Sequence, residues 1–207
     1  MIITKIELQK KNKDRASIYI DEKFAFGVHI NIVYDLHLKK GMEMTDELRE
    51  EILGLEEKKQ GRLYGLKLIN YRPRCEAEVR RKMAEKEYAP EIIEDTVEYL
   101  YEYNFLNDES FTRYYIESKL NSNKYGLNRI KYQLSSMGID KAIINECIED
   151  YKDEANEYEV ALELASKKLS SLEKDTKDAK YRKVSGFLSR KGYSFEIINK
   201  VLRELLQ

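Results

Sequence analysis

Arg72, Arg74, Arg80, Arg81, Lys82 and Lys86 crowd a short stretch of the chain, and Pro73 breaks the backbone inside it. Arginine dominates this cluster. A guanidinium is a planar fork of donors that clasps a carboxylate or a phosphate through two parallel hydrogen bonds, which an ammonium cannot do. The chemistry on offer is therefore anion binding, on an acidic protein surface or a nucleic-acid backbone. Weaker counterparts follow at Lys124, Arg129 and Lys131, and again at Lys180, Arg182, Lys183, Arg190 and Lys191. The bland alternative is a solvated, salt-bridged helix face: Glu78 and Glu85 lie within helical reach of Arg81, whereas Arg80 points to another side. Spacing alone does not separate these readings, nor a phosphate partner from an acidic protein groove.

Other chemistries find little support. Cys75 and Cys147 lie far apart with no CxxC spacing, and His29 and His37 are the only histidines, which argues against a Cys/His zinc cage. There is no GxxxxGK phosphate loop, GxGxxG, HExxH or GxSxG. Asp108 and Glu109 follow Asn107 at the start of a helical pattern, so they read as capping residues rather than an acid–base pair. No catalytic residue, metal ligand or cofactor is expected. Lys+Arg number 37 against 38 Asp+Glu, a net charge of -1, so any affinity for phosphate must come from local clustering. Residues 61–107 themselves hold 8 basic and 9 acidic side chains, so a patch there can occupy only one face. No apolar run approaches the ~20 residues that cross a bilayer. Lys5, Glu7, Lys10 and Lys11 interrupt any signal-peptide core, and a cytoplasmic protein is expected.

The elements that must position these residues come in two kinds. Ile2, Ile3, Ile6 and Leu8, then Ile18-Tyr19-Ile20, a turn at Asp21-Glu22-Lys23, and Phe24-Ala25-Phe26 predict two or three antiparallel strands. Thr45 followed by Asp46 and Glu47 predicts a helix N-terminus near Asp46, although Gly54, Gly61 and Gly65 weaken its continuity. Beyond residue 62 the chain repeats. Segments 78–100, 129–151 and 183–205 align without gaps, and apolar residues coincide at Val79/Ile130/Val184, Met83/Leu134/Leu188, Tyr88/Ile139/Tyr193, Ile92/Ile143/Ile197, Ile93/Ile144/Ile198 and Leu100/Tyr151/Leu205. Gly138 and Gly192 fall where a helix ends in a left-handed residue, and Asp140 and Ser194 fall where the next needs an N-cap. In the first copy those places hold Glu87 and Ala89, with Pro90 partly restoring the start signal.

Another apolar-periodic stretch precedes each segment, which makes three three-helix repeats; the third carries a mostly polar insertion over 170–180. The expected fold is mainly α, an elongated array of three tandem three-helix repeats behind a small N-terminal β-hairpin or three-stranded sheet. Its expected parts are a β-rich segment over 1–45, a connecting helix over 46–61, and repeats over 62–107, 108–154 and 155–207. Most of the 16 tyrosines read as residues at the core boundary.

The residues also carry a family resemblance. The run from Tyr71 to Met83, Tyr-Arg-Pro-Arg-Cys-Glu followed by a basic helix, resembles the signature of the RecX regulatory proteins. Asn104-Phe105-Leu106-Asn107-Asp108, continuing to Phe111, looks like their Gly-aromatic-Leu-Asp-Asp segment, and Tyr125-Gly126-Leu127 through Ile139 looks like their second repeat. The match is strong over about residues 62–151 and looser in the third repeat. Four positions depart from the pattern. Cys75 stands for a serine, which predicts weaker capping of the helix it precedes; Asn104 and Glu87 stand for glycines; Leu127 stands for a proline.

The resemblance implies a tandem three-helix fold and a protein that is not an enzyme. It implies a regulator that binds the RecA–DNA filament, inhibits RecA recombinase, ATPase and coprotease activities in DNA repair and the SOS response, and contacts single- or double-stranded DNA. A monomer is expected, because an array with its own terminal repeats needs no dimer. Arg72, Arg74, Arg80, Arg81, Lys82, Arg129, Lys131, Lys183 and Arg190 are the expected contacts with filament or DNA. Rival readings are a direct nucleic-acid-binding helical repeat protein and a generic helical scaffold.

Overall fold

The computed structural model describes residues 1–152 and 156–206. Three strands, β1 (Ile3–Leu8), β2 (Arg15–Ile20) and β3 (Lys23–His29), form one antiparallel sheet in chain order. The β2–β3 turn places Asp21 and Glu22 at φ 47° and 65°, the left-handed pair that a two-residue hairpin needs to match strand twist. Asp21 steadies the turn by accepting from the Ile2 amide at 3.0 Å. Alternation then does the packing: Ala16, Ile18 and Val28, with Ile3, are fully buried and meet Ile32 and Val33 of the short helix α1 (Ile30–Asp35) and Ile52 of α2 (Asp46–Tyr71).

One buried carboxylate ties the sheet to that helix. Glu56, 9% exposed, accepts from Arg15 Nη1 at 2.6 Å, the His29 amide at 2.6 Å and Gln60 at 2.8 Å. His29 is thereby accounted for structurally, since its Nδ1 also caps α1 by accepting from the Asn31 amide.

Helix α2 starts where Thr45 Oγ1 accepts from the Leu48 amide and runs unbroken through all three of its glycines. The sequence expectation of weakened continuity is corrected here, and packing explains why. A Cβ on Gly61 would lie 2.5 Å from Ile92 Cγ2, and one on Gly65 would lie 2.6 Å from Thr96 Cγ2, so these glycines let α2 press against α4 (Pro90–Glu102). The helical entropy that two glycines lose, ~1 kcal/mol each, is offset by close contact with buried Ile92, Thr96 and Leu100.

The remaining helices are α3 (Glu76–Ala84), α5 (Asp108–Asn123), α6 (Leu127–Ser136), α7 (Lys141–Asp150), α8 (Glu157–Ser170), α9 (Lys177–Lys191) and α10 (Phe195–Leu205). They group into three three-helix repeats that begin with the second half of α2, with α5 and with α8. Val79/Ile130/Val184 and Met83/Leu134/Leu188 are buried throughout. Gly138 and Gly192 take φ 88° and 94°, and Asp140 and Ser194 cap α7 and α10 through their side chains. The chain divides into two compact bodies, one holding Met1–Arg72 and Val79–Phe105, the other Pro73–Glu78 and Leu106 onward.

In the first repeat the tight turn forms without its glycine. Glu87 is exposed and sits at φ 61°, a conformation that costs an L-residue ~1 to ~2 kcal/mol. Glu87→Gly is expected to raise stability by up to ~1 kcal/mol, part of the relief being returned as unfolded-chain entropy. A lower melting temperature for this variant would show that the Glu87 side chain makes a stabilising contact that outweighs its backbone strain.

Candidate partner-binding surface

The arginine-rich stretch does not build one uniform face. Arg74, just ahead of α3, is turned inward: its side chain is 8% exposed and ion-paired with Glu78. Glu78 is thus spent on Arg74 and not on Arg81, which corrects the pairing expected from helical spacing. Arg80 reaches from α3 to α4 and clasps Glu94 with both Nη atoms, at 2.5 and 3.0 Å. The Glu94 carboxyl is held below its ordinary pKa by that guanidinium. Arg81 is more exposed than Arg80 or Lys82, at 63%, with Glu85 only at 3.8 Å, while Lys82 holds Glu85 at 2.6 Å. Arg72 is exposed at the C-cap of α2. Arg80, Arg81 and Lys82 are therefore the outward part of the cluster, in exposed ion pairs weak enough to be traded for an external anion.

The helix that carries them is completed by a residue from farther along the chain. Cys75 offers no hydroxyl to the start of α3; it is buried, and its thiol donates to the Met137 carbonyl at 3.7 Å. Burial also pushes that thiol's pKa up. The missing acceptor is Asp108, whose Oδ1 takes the Glu76 amide at 2.8 Å. Asn107, not Asp108, caps α5 by accepting from the Ser110 amide, which corrects the sequence reading of that acidic pair.

The second repeat repeats the device. Glu157, the first residue of α8, accepts from the Leu127 amide at 2.9 Å, where a proline would have had no amide to satisfy. Burial raises the carboxyl pKa of both acids, against the opposing pull of the amide each accepts from. Neither long-range cap was anticipated. Their only trace in the sequence is an acidic residue opening the first helix of the following repeat.

Beyond the first repeat, Lys131 donates to Asn145 Oδ1 at 2.6 Å and Lys183 pairs with Asp175 at 2.7 Å. Arg129 and Arg190 are brought together by the fold. The Gly126 amide donates to the Lys191 carbonyl at 2.9 Å, and Arg129 Nη1 donates to the Arg190 carbonyl at 2.5 Å. The Arg129 guanidinium also lies 4.4 Å over the Tyr125 ring. A groove of about 400 Å³ opens between α6 and α9 at this junction, lined by Asn128, Arg129, Tyr132, Gln133, Ser189 and Arg190. Among the described residues no three or more His, Cys, Asp or Glu side chains gather to hold a metal ion, and no helix is long and apolar enough to cross a membrane.

Four domain models match in succession: the regulatory protein RecX N-terminal domain over residues 1–45, and the first, second and third RecX three-helix domains over 62–100, 107–148 and 155–202. The regulatory protein RecX of Clostridioides difficile (strain 630) is 37% identical, over 99% of this chain and 96% of that protein. That of Clostridium botulinum (strain Eklund 17B / Type B) is 36% identical, over 99% and 96%. A crystal structure of a regulatory protein RecX superposes with a TM-score of 0.82 at 25% identity, covering 97% of this chain and 98% of that one. With all four domains matched in order and identity above a third along nearly the whole length, the chain belongs to the RecX family of regulatory proteins.

Proposed function

We propose that this protein is a cytoplasmic, non-enzymatic regulator that binds the RecA–DNA filament as a monomer and restrains RecA recombinase, ATPase and coprotease activities in DNA repair and the SOS response. The observation that carries this reading is the match of all four RecX domains in their family order. The outward Arg80, Arg81 and Lys82 on α3 support it, because they offer exchangeable cations to an acidic or phosphate-bearing partner. Arg72 extends that patch. Arg129, Lys131, Lys183 and Arg190 are further contacts in this proposal, whereas Arg74 serves the fold through Glu78.

The test is the ATPase rate of the cognate RecA on single-stranded DNA with substoichiometric amounts of the protein. A fall is expected at concentrations too low to coat the DNA. Replacing Arg72, Arg80, Arg81 and Lys82 together by Glu should raise the concentration needed at least about tenfold, equivalent to ~1.4 kcal/mol of lost binding, with the helical circular-dichroism signal retained. Unchanged inhibition by that variant would remove the cluster from the mechanism, and an unaffected ATPase with the parent protein would remove RecA.

A further inference from the structure

Helix α4 ends in a ladder of rings that the fold leaves in water. Tyr99 lies 4.8 Å from Tyr103, and Tyr103 stacks on Phe105 at 6.3 Å with 17° between the ring planes. The turn behind the helix builds this stack: Asn104 at φ 55° folds the chain back, and the Phe105 amide donates to the Leu100 carbonyl at 2.8 Å. Tyr103 is 56% and Phe105 46% exposed, although Leu100 and Leu106 beside them are buried. Neighbouring rings so placed make an aromatic face without a partner.

The protein itself shows what such rings hold. At the first rung, Arg62 of α2 lies 4.9 Å over the Tyr99 ring while its Nε and Nη2 clasp Asp95 at 2.8 and 3.0 Å. A guanidinium has a flat face to stack and a fork to bond, so a ring and a carboxylate together select it. The same two ingredients recur one turn on. Tyr103 and Phe105 supply the faces, and Glu98 and Glu102, both exposed, supply carboxylates that enter no ion pair among the described residues. Glu102 lies close enough to join Asp95, the largest cause, and Tyr99 in holding Arg62 above its ordinary pKa. Helix α4 has no basic residue along its length, and its carbonyl end, where the helix dipole is negative, carries Glu102 where a cation would be favoured.

We propose that this end of α4 docks an arginine-bearing basic segment of a partner protein. One guanidinium stacks on the Tyr103–Phe105 pair and forks onto Glu102, and a neighbouring cation of the segment meets Glu98. Charge decides between occupants. A nucleic acid or an anionic membrane is repelled by a helix whose charged residues are all acidic. An apolar helix would cover the rings but take Glu98 and Glu102 out of water unpaired. A segment with lysine alone would meet the carboxylates and bring no flat face to the rings. The assignment goes beyond the regulatory reading, which sets the cations of α3 against an anionic partner; here the same repeat offers a face of opposite sign.

The probe is a dye-labelled nona-arginine peptide titrated with the full-length protein and followed by fluorescence anisotropy, with nona-lysine alongside. Salt-sensitive binding is expected, with nona-arginine about threefold or more the tighter of the two. Glu98→Gln/Glu102→Gln should weaken it about fivefold. Tyr103→Ala should weaken it about threefold, and Tyr103→Phe should leave it near the parent value. As a control, Glu50→Gln/Glu51→Gln removes the same charge from exposed positions on α2 and should bind like the parent. Every side chain changed is exposed, so superimposable melting curves are expected throughout. Failure of the parent to bind overturns the assignment, as does parent-like binding by the α4 variants. An equal loss in the control variant would make the binding a matter of overall charge, and nona-lysine binding as tightly as nona-arginine would remove the rings; either result overturns it too.

Discussion

Gly192→Ala is expected to destabilise the protein by about 2 to 5 kcal/mol. Two costs add at this position. The backbone sits at φ +94°, which an L-residue pays for with ~1 to ~2 kcal/mol. A new Cβ would also lie 2.3 Å from Arg129 Cβ and 2.5 Å from the Arg129 amide nitrogen, and overpacking against so rigid a wall costs ~1 to ~3 kcal/mol. Gly126 faces the same junction from the other side: its Cβ would meet the Gly192 carbonyl carbon at 2.5 Å, so Gly126→Ala should show the overlap without the backbone strain. Gly41 is the internal control, since its φ is +86° with nothing within 4 Å, and Gly41→Ala should carry the strain alone. Urea denaturation followed by circular dichroism ranks the three. If Gly192→Ala proves no worse than Gly41→Ala, the close approach of α6 and α9 contributes nothing to stability.

Glu56→Ala should cost a comparable ~3 to ~5 kcal/mol, by a different route. The Glu56 side chain is 12% exposed and Arg15 is 26% exposed, so removing the carboxylate strands a mostly buried guanidinium and the His29 amide at once. The double variant Arg15→Ala/Glu56→Ala should be much less unstable than the sum of the single ones, because the penalty is that of an orphaned charge. A cost below ~1 kcal/mol for Glu56→Ala, or full additivity, would mean that apolar contact of Ile18, Val28 and Ile52 alone holds the sheet to α2.

Much of the fold was legible because helices and strands write their burial into local periodicity. The aligned columns Val79/Ile130/Val184 and Met83/Leu134/Leu188 are core, and Thr45, Asp140 and Ser194 are the caps their spacing announces. What escaped reading depends on partners distant in the chain. Gly61 and Gly65 look like helix breakers until Ile92 and Thr96 are placed against them. Glu56 looks like any surface glutamate on an amphipathic helix, and only the sheet's return makes it an anchor. The candidate contacts divide the same way. An Arg74–Glu78 pair sits at readable i,i+4 spacing, whereas the clasp of Arg80 on Glu94 and the meeting of Arg129 with the Arg190 carbonyl across 61 positions need the tertiary fold.

The two long-range caps give the repeats a direction in time. During synthesis α3 leaves the ribosome with its first amide unmet, and Asp108, the group that completes it, is added 32 residues after Glu76. At ~5 to ~20 residues per second that is a delay of roughly 2 to 6 s. Helix α6 then waits in turn for Glu157, 30 residues after Leu127. These two middle helices are therefore finished only once the chain has committed to the next repeat, while α9 is capped on the spot by Thr176, so the protein closes like a row of clasps fastened one behind the growing end.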